Sequence, residues 1–373
     1  MLKRLYVSNF RCLDNFEFKP GAQASALLIG KNGSGKSTLP RALKLFQAIG
    51  RGANRVGALV SPDEFSLGRV DVPMRFEIEA LVGHSTFLYA IALELPPKLK
   101  ELRVLEERLV IDGEEIFSRS QAQVKLSKSL SSQAAFKIDW HFIALPMIAG
   151  VDVAERLDAW RTWLAQMVIL APMPPLMLAE SHGESKWPLP DGSNFAEWLT
   201  GLLVERPDAY SHIVTYLKPI MPDFGGFKNL PSGKDRKSLV VWFEGAHAAS
   251  GGSKFELNFA ELSDGEKCTI LCAVLIAANA SYGPVFAFWD EPDNYLSLPE
   301  VSHFIHALRS AFEAQGQLIV TSHSAETIRS FSRENTFLMT RKSHLEPSLI
   351  RPLTDLPDDG DVVEAYLRGE LEA

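Results

Sequence analysis

A chain of 373 residues that is 46% hydrophobic can bury the core of one large domain or two ordinary ones. A formal net charge of −8 argues against a surface coated for nucleic acid, although a local basic groove stays open. Three cysteines (Cys12, Cys268 and Cys272) exclude a disulfide framework, and no uncharged apolar run approaches the roughly 18 residues that cross a bilayer.

The opening, "MLKRLYVSNFRCLDNF", alternates like a strand and lacks the apolar core of a signal segment. A cytoplasmic protein is therefore expected. "SALLIG" reads as a short buried strand, followed by a glycine-rich turn and the helix "STLPRALKLFQAIG". "RFEIEALV", "TFLYAIALEL" and "RLVIDGEEIF" predict further strands. From about residue 151 the pattern turns helical, through "VDVAERLDAWRTWLAQMVIL", "GSNFAEWLTGLLV" and "DAYSHIVTYLKPIM", punctuated by proline-rich loops. "SLVVWFEG" and "KFELNF" return to strand. The end alternates helix and buried strand: "GEKCTILCAVLIAANA", "VFAFWD", "EVSHFIHALRSAFEA", "LIVTSH". That alternation predicts an α/β fold with a parallel sheet. No fixed-period repeat or sustained heptad is present, so a long coiled-coil arm is not expected.

The turn Gly30-Lys-Asn-Gly-Ser-Gly35-Lys36-Ser37 fits G-x-x-x-x-G-K-[ST]. Its glycines let the backbone curl until several N–H groups face inward, and the following helix adds its positive end. Lys36 can reach β- and γ-phosphates, and the Ser37 hydroxyl is a fitting Mg²⁺ ligand. Pro40, one turn into the helix, predicts a local kink. In "VFAFWDEP" a buried strand ends in two carboxylates. Asp290 suits a Mg²⁺ shell and Glu291 a general base for attacking water. "LIVTSHS" delivers His323 to the same kind of strand end, where a histidine can contact a γ-phosphate. "ELSDGEKCTILCAV" reads as a capped helix start, with Glu266 early in the helix.

Taken together, Leu262-Ser-Asp-Gly-Glu266 resembles the LSGGQ-type signature of ABC ATPases. The order of phosphate loop, long insertion, signature, Asp-Glu strand and switch histidine resembles the ABC-type ATPases of the RecF, SMC and OLD group. So do the opening through "GKNGSGKST" and the stretches "DGSNFAEWL" and "LSDGEK". The resemblance implies a P-loop NTPase fold: an ABC-type head of two lobes, residues 1–145 and 238–373, with a mainly helical insertion at 146–237. It implies ATP and Mg²⁺ as cofactors. Gly30, Asn32, Gly33, Ser34, Gly35, Lys36, Ser37 and Thr38 would hold phosphates and Mg²⁺, with Asp290 as second metal ligand. Glu291 would be the base and His323 the switch. Ser263 and Gly265 would close over the γ-phosphate of a second copy, making a homodimer the active unit. Asp293 and Asn294 would face that partner, and Asn9 and Arg11, matching the group's "NFR", would lie near the nucleotide.

Three features depart from the group. Asp264 stands where many relatives have glycine. The glutamine that couples Mg²⁺ to the lobes is not placed, with Gln121, Gln123 and Gln133 as candidates. No metal-dependent nuclease domain is recognisable. The expected function is a conformational switch in DNA repair or anti-phage defence, gating a separately encoded nuclease or toxin effector, with DNA contact open and no membrane partner. A protein-only scaffold that restrains a toxin is the second reading, favoured by net acidity. A transporter's nucleotide-binding subunit is the third, opposed by the N-terminus and by the long gap before the signature.

Other residues have plainer readings. His303 and His306 fit a polar helix face. The basic stretch Lys228–Ser238 fits a solvated hairpin turn, or else a contact to a nucleic-acid backbone. Trp160, Trp163, Trp187 and Trp198 fit core packing, and "GDVVEAYLRGELEA" a docked end helix.

Overall fold

The structure, a computed structural model, describes residues 1–127, 135–148, 154–245, 254–355, 362–369 and 371. They fall into two units: Met1–Met167 with Ser332–Ala373, and Val168–Phe331.

Period-two alternation builds the first unit. Strands β1 (Leu2–Ser8) and β2 (Phe16–Phe18) form a hairpin, and β3 (Ser25–Ile29) leads through the phosphate turn into α1 (Leu39–Gly50). Then follow β4 (Met74–Val82), β5 (Ser85–Glu94), β6 (Arg103–Ile111), β7 (Glu114–Ser120), β8 (Gln123–Leu126) and β9 (Ala135–Lys137). These six join β1 and β2 in an antiparallel sheet of order β2-β1-β4-β5-β6-β7-β8-β9. Every second residue of β4 and β5 (Phe76, Ile78, Ala80, Phe87, Tyr89, Ile91) is buried, as expected for a sheet with one face on the core. Helix α2 (Ala154–Ala165) covers that face: Trp160 stacks on Phe87 at 5.1 Å and on Trp163 at 5.4 Å.

The second unit opens with β10 (Val168–Leu170), β11 (Glu180–Ser181), α3 (Phe195–Glu205) and α4 (Ala209–Leu217). Strands β12 (Phe224–Pro231), β13 (Lys237–Glu244) and β14 (Lys254–Asn258) follow, and with β11 they make a small antiparallel sheet. Then come α5 (Asp264–Tyr282), β15 (Phe286–Asp290), α6 (Leu298–Ala314), β16 (Gln317–Thr321) and α7 (Ala325–Arg329). Strands β10, β15 and β16 run parallel, with Leu170 opposite Trp289 and Trp289 opposite Val320. Their nearly continuous burial explains why they read as unbroken apolar runs. The chain then returns to the first unit with β17 (Thr336–Thr340), parallel to β3, β18 (Leu349–Pro352), antiparallel to β17, and α8 (Val362–Leu367).

The stretch 146–237 differs from the mainly helical insertion expected. It is shared between the two units, with α2 in the first and β10 to β12, α3 and α4 in the second. "MVIL" is a buried strand and not the end of a helix, because a short apolar run carries no period that separates the two. Residues Lys36–Thr38 form a 3₁₀ turn, and Pro40 falls at the second position of α1, not one turn into a helix, so its missing N–H is not needed. Trp198 is fully buried, and Trp187 packs on Tyr282 at 6.2 Å. Cys268 and Cys272 are buried on α5. Among the described residues no helix is long and apolar enough to cross a membrane.

One buried ion pair ties the large sheet to the segment that follows β9. Glu107 and Arg119 side chains are both 0% exposed and 3.4 Å apart. Glu107 also accepts from Ala144 N (2.8 Å), Leu145 N (2.9 Å) and the Tyr89 hydroxyl (2.9 Å). Glu107→Ala would leave the buried Arg119 guanidinium without its carboxylate, with only carbonyl acceptors, and two backbone N–H groups without an acceptor, so it is expected to destabilise by about 3–5 kcal/mol. The urea unfolding midpoint measures this; a loss under about 0.5 kcal/mol would refute the assignment.

Candidate functional site

The first unit holds the phosphate loop between β3 and α1. All of β3 is buried, so it fixes the loop's entry. Gly30 and Gly35 have φ of 154° and 104°. A Cβ at Gly30 would stand 2.1 Å from the Met339 carbonyl oxygen, and one at Gly35 would stand 2.6 Å from Ser348 Oγ. Side chains are excluded at both positions by contact as well as by conformation. Lys36 is 5% exposed and curls back across the loop. Its Nζ donates to the Gly30 carbonyl at 2.6 Å and the Lys31 carbonyl at 3.3 Å. A cation held over curled backbone is the geometry that receives anionic oxygen. Ser34 Oγ and Ser348 Oγ are buried without a hydrogen-bond partner among the described residues. Asn32, Gly33 and Ser37 are exposed, and Thr38 is half-buried.

Asn9 and Arg11 have φ of 56° and 51°, a left-handed turn built by the "SNFRC" sequence. Their side chains serve that turn and its neighbours. Asn9 Nδ2 donates to the Arg69 and Val72 carbonyls, and Arg11 Nε donates to Glu64 Oε1 at 2.9 Å. Cys12 is the residue of this turn that meets the phosphate loop, with Sγ 3.4 Å from Thr38 Oγ1. Glu64 also receives Arg41 Nε, from α1, at 2.5 Å. Burial alone would raise the Glu64 pKa, but the hydrogen bonds from Arg11 and Arg41 win and hold it below its usual value. The tail adds a contact that sequence reasoning did not supply: the Tyr366 hydroxyl donates to the Gly30 carbonyl at 3.3 Å.

The second unit brings together the acidic strand end and the histidine. Thr321 Oγ1 donates to Asp290 Oδ1 and accepts from Glu291 N at 3.0 Å. Glu291 has φ of 50°, an uncommon conformation for a residue other than glycine and one often found at functional positions. Its carboxylate accepts from Asn294 Nδ2 at 2.5 Å and lies 3.3 Å from His323 Nε2. Asn294 is exposed, but Asp293, expected to face a partner subunit, is buried, with two hydroxyls of its own unit on its carboxylate. At the start of α5, Ser263 and Glu266 form a reciprocal capping box: Ser263 N donates to Glu266 Oε2 at 2.8 Å and Glu266 N to Ser263 Oγ at 3.3 Å. Asp264 sits exposed in the first turn and is not the cap, and Gly265 is half-buried.

Gln121 lies in the β7–β8 turn and Gln123 on β8, whereas Gln133 lies outside the described residues. His303 and His306 are exposed, and no cluster of three or more metal-ligating groups occurs among the described residues. The basic stretch ends β12 and turns into β13, with Lys228 paired to Glu256. Thr321 is the main residue missed from sequence; its position two residues before His323, on the strand beside the acidic one, is the signal that could have found it.

The AAA ATPase domain family matches residues 1–158, and residues 195–329 match the family described as "AAA domain, putative AbiEii toxin, Type IV TA system". Successive parts of the chain thus match two AAA-type domain families, each over less than half of its length. Two solved structures share the fold of this chain at low identity. An Smc head bound to the C-winged helix domain of ScpA matches at 13% identity and TM-score 0.52, covering 95% of this chain and 98% of that one. An Smc head with an extended coiled coil, bound to the C-terminal domain of ScpA derived from Pyrococcus furiosus, matches at 11% identity and TM-score 0.50, covering 99% of both. No curated protein matches the chain.

The Glu64 cluster makes a pH prediction for the folded chain. A depressed carboxylate pKa gives stability that is present above the unfolded value and fades as pH falls through the folded one. Glu64→Gln is expected to lower unfolding stability at pH 7 by about 1–2 kcal/mol. The gap from wild type should close below the ordinary glutamate pKa of about 4.3. Chemical denaturation across that range measures it, and a gap that widens on acidification would contradict the assignment.

Proposed function

We propose that this chain binds and hydrolyses ATP and uses the cycle as a conformational switch between separate and paired copies. The observation that carries the reading is the Lys36 ammonium, buried and turned onto the carbonyls of its own loop. In this reading Gly30, Asn32, Gly33, Ser34, Gly35, Lys36 and Thr38 would hold the phosphates. Glu291 would orient water for in-line attack on the γ-phosphorus, and His323 would sense the γ-phosphate. Ser37 and Asp290 would hold Mg²⁺, which neutralises charge on the phosphates when bound. One hydroxyl and one carboxylate suit a cation that takes its remaining oxygens from substrate and water. Ser263, Gly265 and the N-terminus of α5 would close over the γ-phosphate of a second copy, adding a helix-end dipole to the site. Loss of that phosphate on hydrolysis removes the bridge and favours opening.

The wider role we infer is anti-phage defence or DNA repair in the cytoplasm, with the switch gating a separately encoded nuclease or toxin effector. The description of the second matching family names a toxin of a type IV system, which supports a protein effector. The two Smc heads carry a bound ScpA domain, which supports a head of this fold working with a partner protein. Pull-down of the tagged protein from its native host, with and without ATP, tests this role. An effector held in one nucleotide state alone is expected, and recovery of the chain by itself in both states would count against it.

Lys36→Ala is expected to weaken ATP binding by about 10- to 100-fold, read by calorimetry. Glu291→Gln should keep binding while hydrolysis falls at least about 100-fold, and should accumulate as an ATP-bound dimer by light scattering. Normal hydrolysis by Glu291→Gln would remove it as the base.

A further inference from the structure

The loop after β15 contains a buried carboxylate that the nucleotide chemistry does not use. Asp293 is 7% exposed, and its Oδ2 accepts from Ser322 Oγ and from Thr327 Oγ1, each at 2.5 Å. Both donors are fully buried and they flank His323, with Ser322 preceding it and Thr327 on α7 beyond it. Ser322 Oγ accepts in turn from Ser324 N at 2.9 Å. A single carboxylate oxygen thus fastens the chain on both sides of the histidine. The same loop carries Glu291, whose carboxylate lies between Asn294 Nδ2 and His323 Nε2. No basic side chain pairs with Asp293 among the described residues, so its burial is compensated by directed hydroxyl donors and not by charge.

We propose that Asp293 is a positioning residue for hydrolysis. It ties the Glu291 loop to the His323 segment, so that base and switch keep one separation and move as a unit. With its Oδ2 taken by Ser322 and Thr327, Asp293 acts through the two residues it braces. The inference rests on the ATPase reading above.

Steady-state ATPase kinetics of Asp293→Ala, Asp293→Asn and Thr327→Val test it. Asp293→Ala is expected to lower kcat about 10- to 100-fold with KM for ATP within about 2-fold, because a misplaced base loses rate and not ground-state binding. Asp293→Asn, whose amide oxygen accepts both hydroxyls, should restore kcat to within about 3-fold of wild type. Thr327→Val keeps the carboxylate and removes one donor; a kcat lowered about 3- to 10-fold is expected, and this variant carries the test if Asp293→Ala does not fold. Unchanged kcat in the alanine and valine variants overturns the inference while wild-type hydrolysis stands. So does an asparagine variant no better than alanine, or a KM that rises in step with any loss of rate. A wild type that does not hydrolyse ATP overturns the underlying reading, and the inference with it.

Discussion

A buried ammonium needs anionic or carbonyl oxygen around it, and the phosphate loop of this chain is organised by that need. Lys36 lies inside the turn and bonds to the Gly30 and Lys31 carbonyls. Those bonds keep the cation satisfied inside the folded turn. They require the backbone to curl tightly, and the curl requires glycine where the Met339 carbonyl and the Ser348 hydroxyl approach. β3 below the loop, β17 beside it and the 3₁₀ entry to α1 are the frame that holds the curl in place.

The second unit solves a related problem with hydroxyls. Asp290, Glu291 and Asp293 crowd a single strand end, and three like charges there would repel. Thr321, Ser322 and Thr327 each donate to one of these carboxylates or brace the loop that carries them. The result is a strained but fully directed cluster in which Glu291, at φ of 50°, points its carboxylate toward His323. Acid and histidine are thereby held 3.3 Å apart.

Much of this was legible in the sequence because the chemistry leaves local marks. The phosphate turn, the apolar strand ending in Asp290 and Glu291, and the Ser263–Glu266 helix start each need particular residues at fixed spacing. The long antiparallel strands showed through alternation at Phe76, Ile78 and Ala80. What escaped depends on contacts distant in sequence. Val168–Leu170 is a strand only because it pairs with β15, more than a hundred residues on. Asp293 looked like a surface residue because Ser322 and Thr327, its partners, lie about thirty positions away. Asn9 and Arg11 matched a familiar pattern, yet their partners are Arg69, Val72 and Glu64, which no local pattern announces.

The most direct test of the account is a structure of the Glu291→Gln protein with Mg²⁺ and ATP. The account predicts that Lys36 Nζ leaves the Gly30 and Lys31 carbonyls for the β- and γ-phosphate oxygens, and that Ser263 of a second copy lies against the same γ-phosphate. Nucleotide bound elsewhere, or Lys36 still turned onto its own carbonyls beside a bound triphosphate, would contradict it.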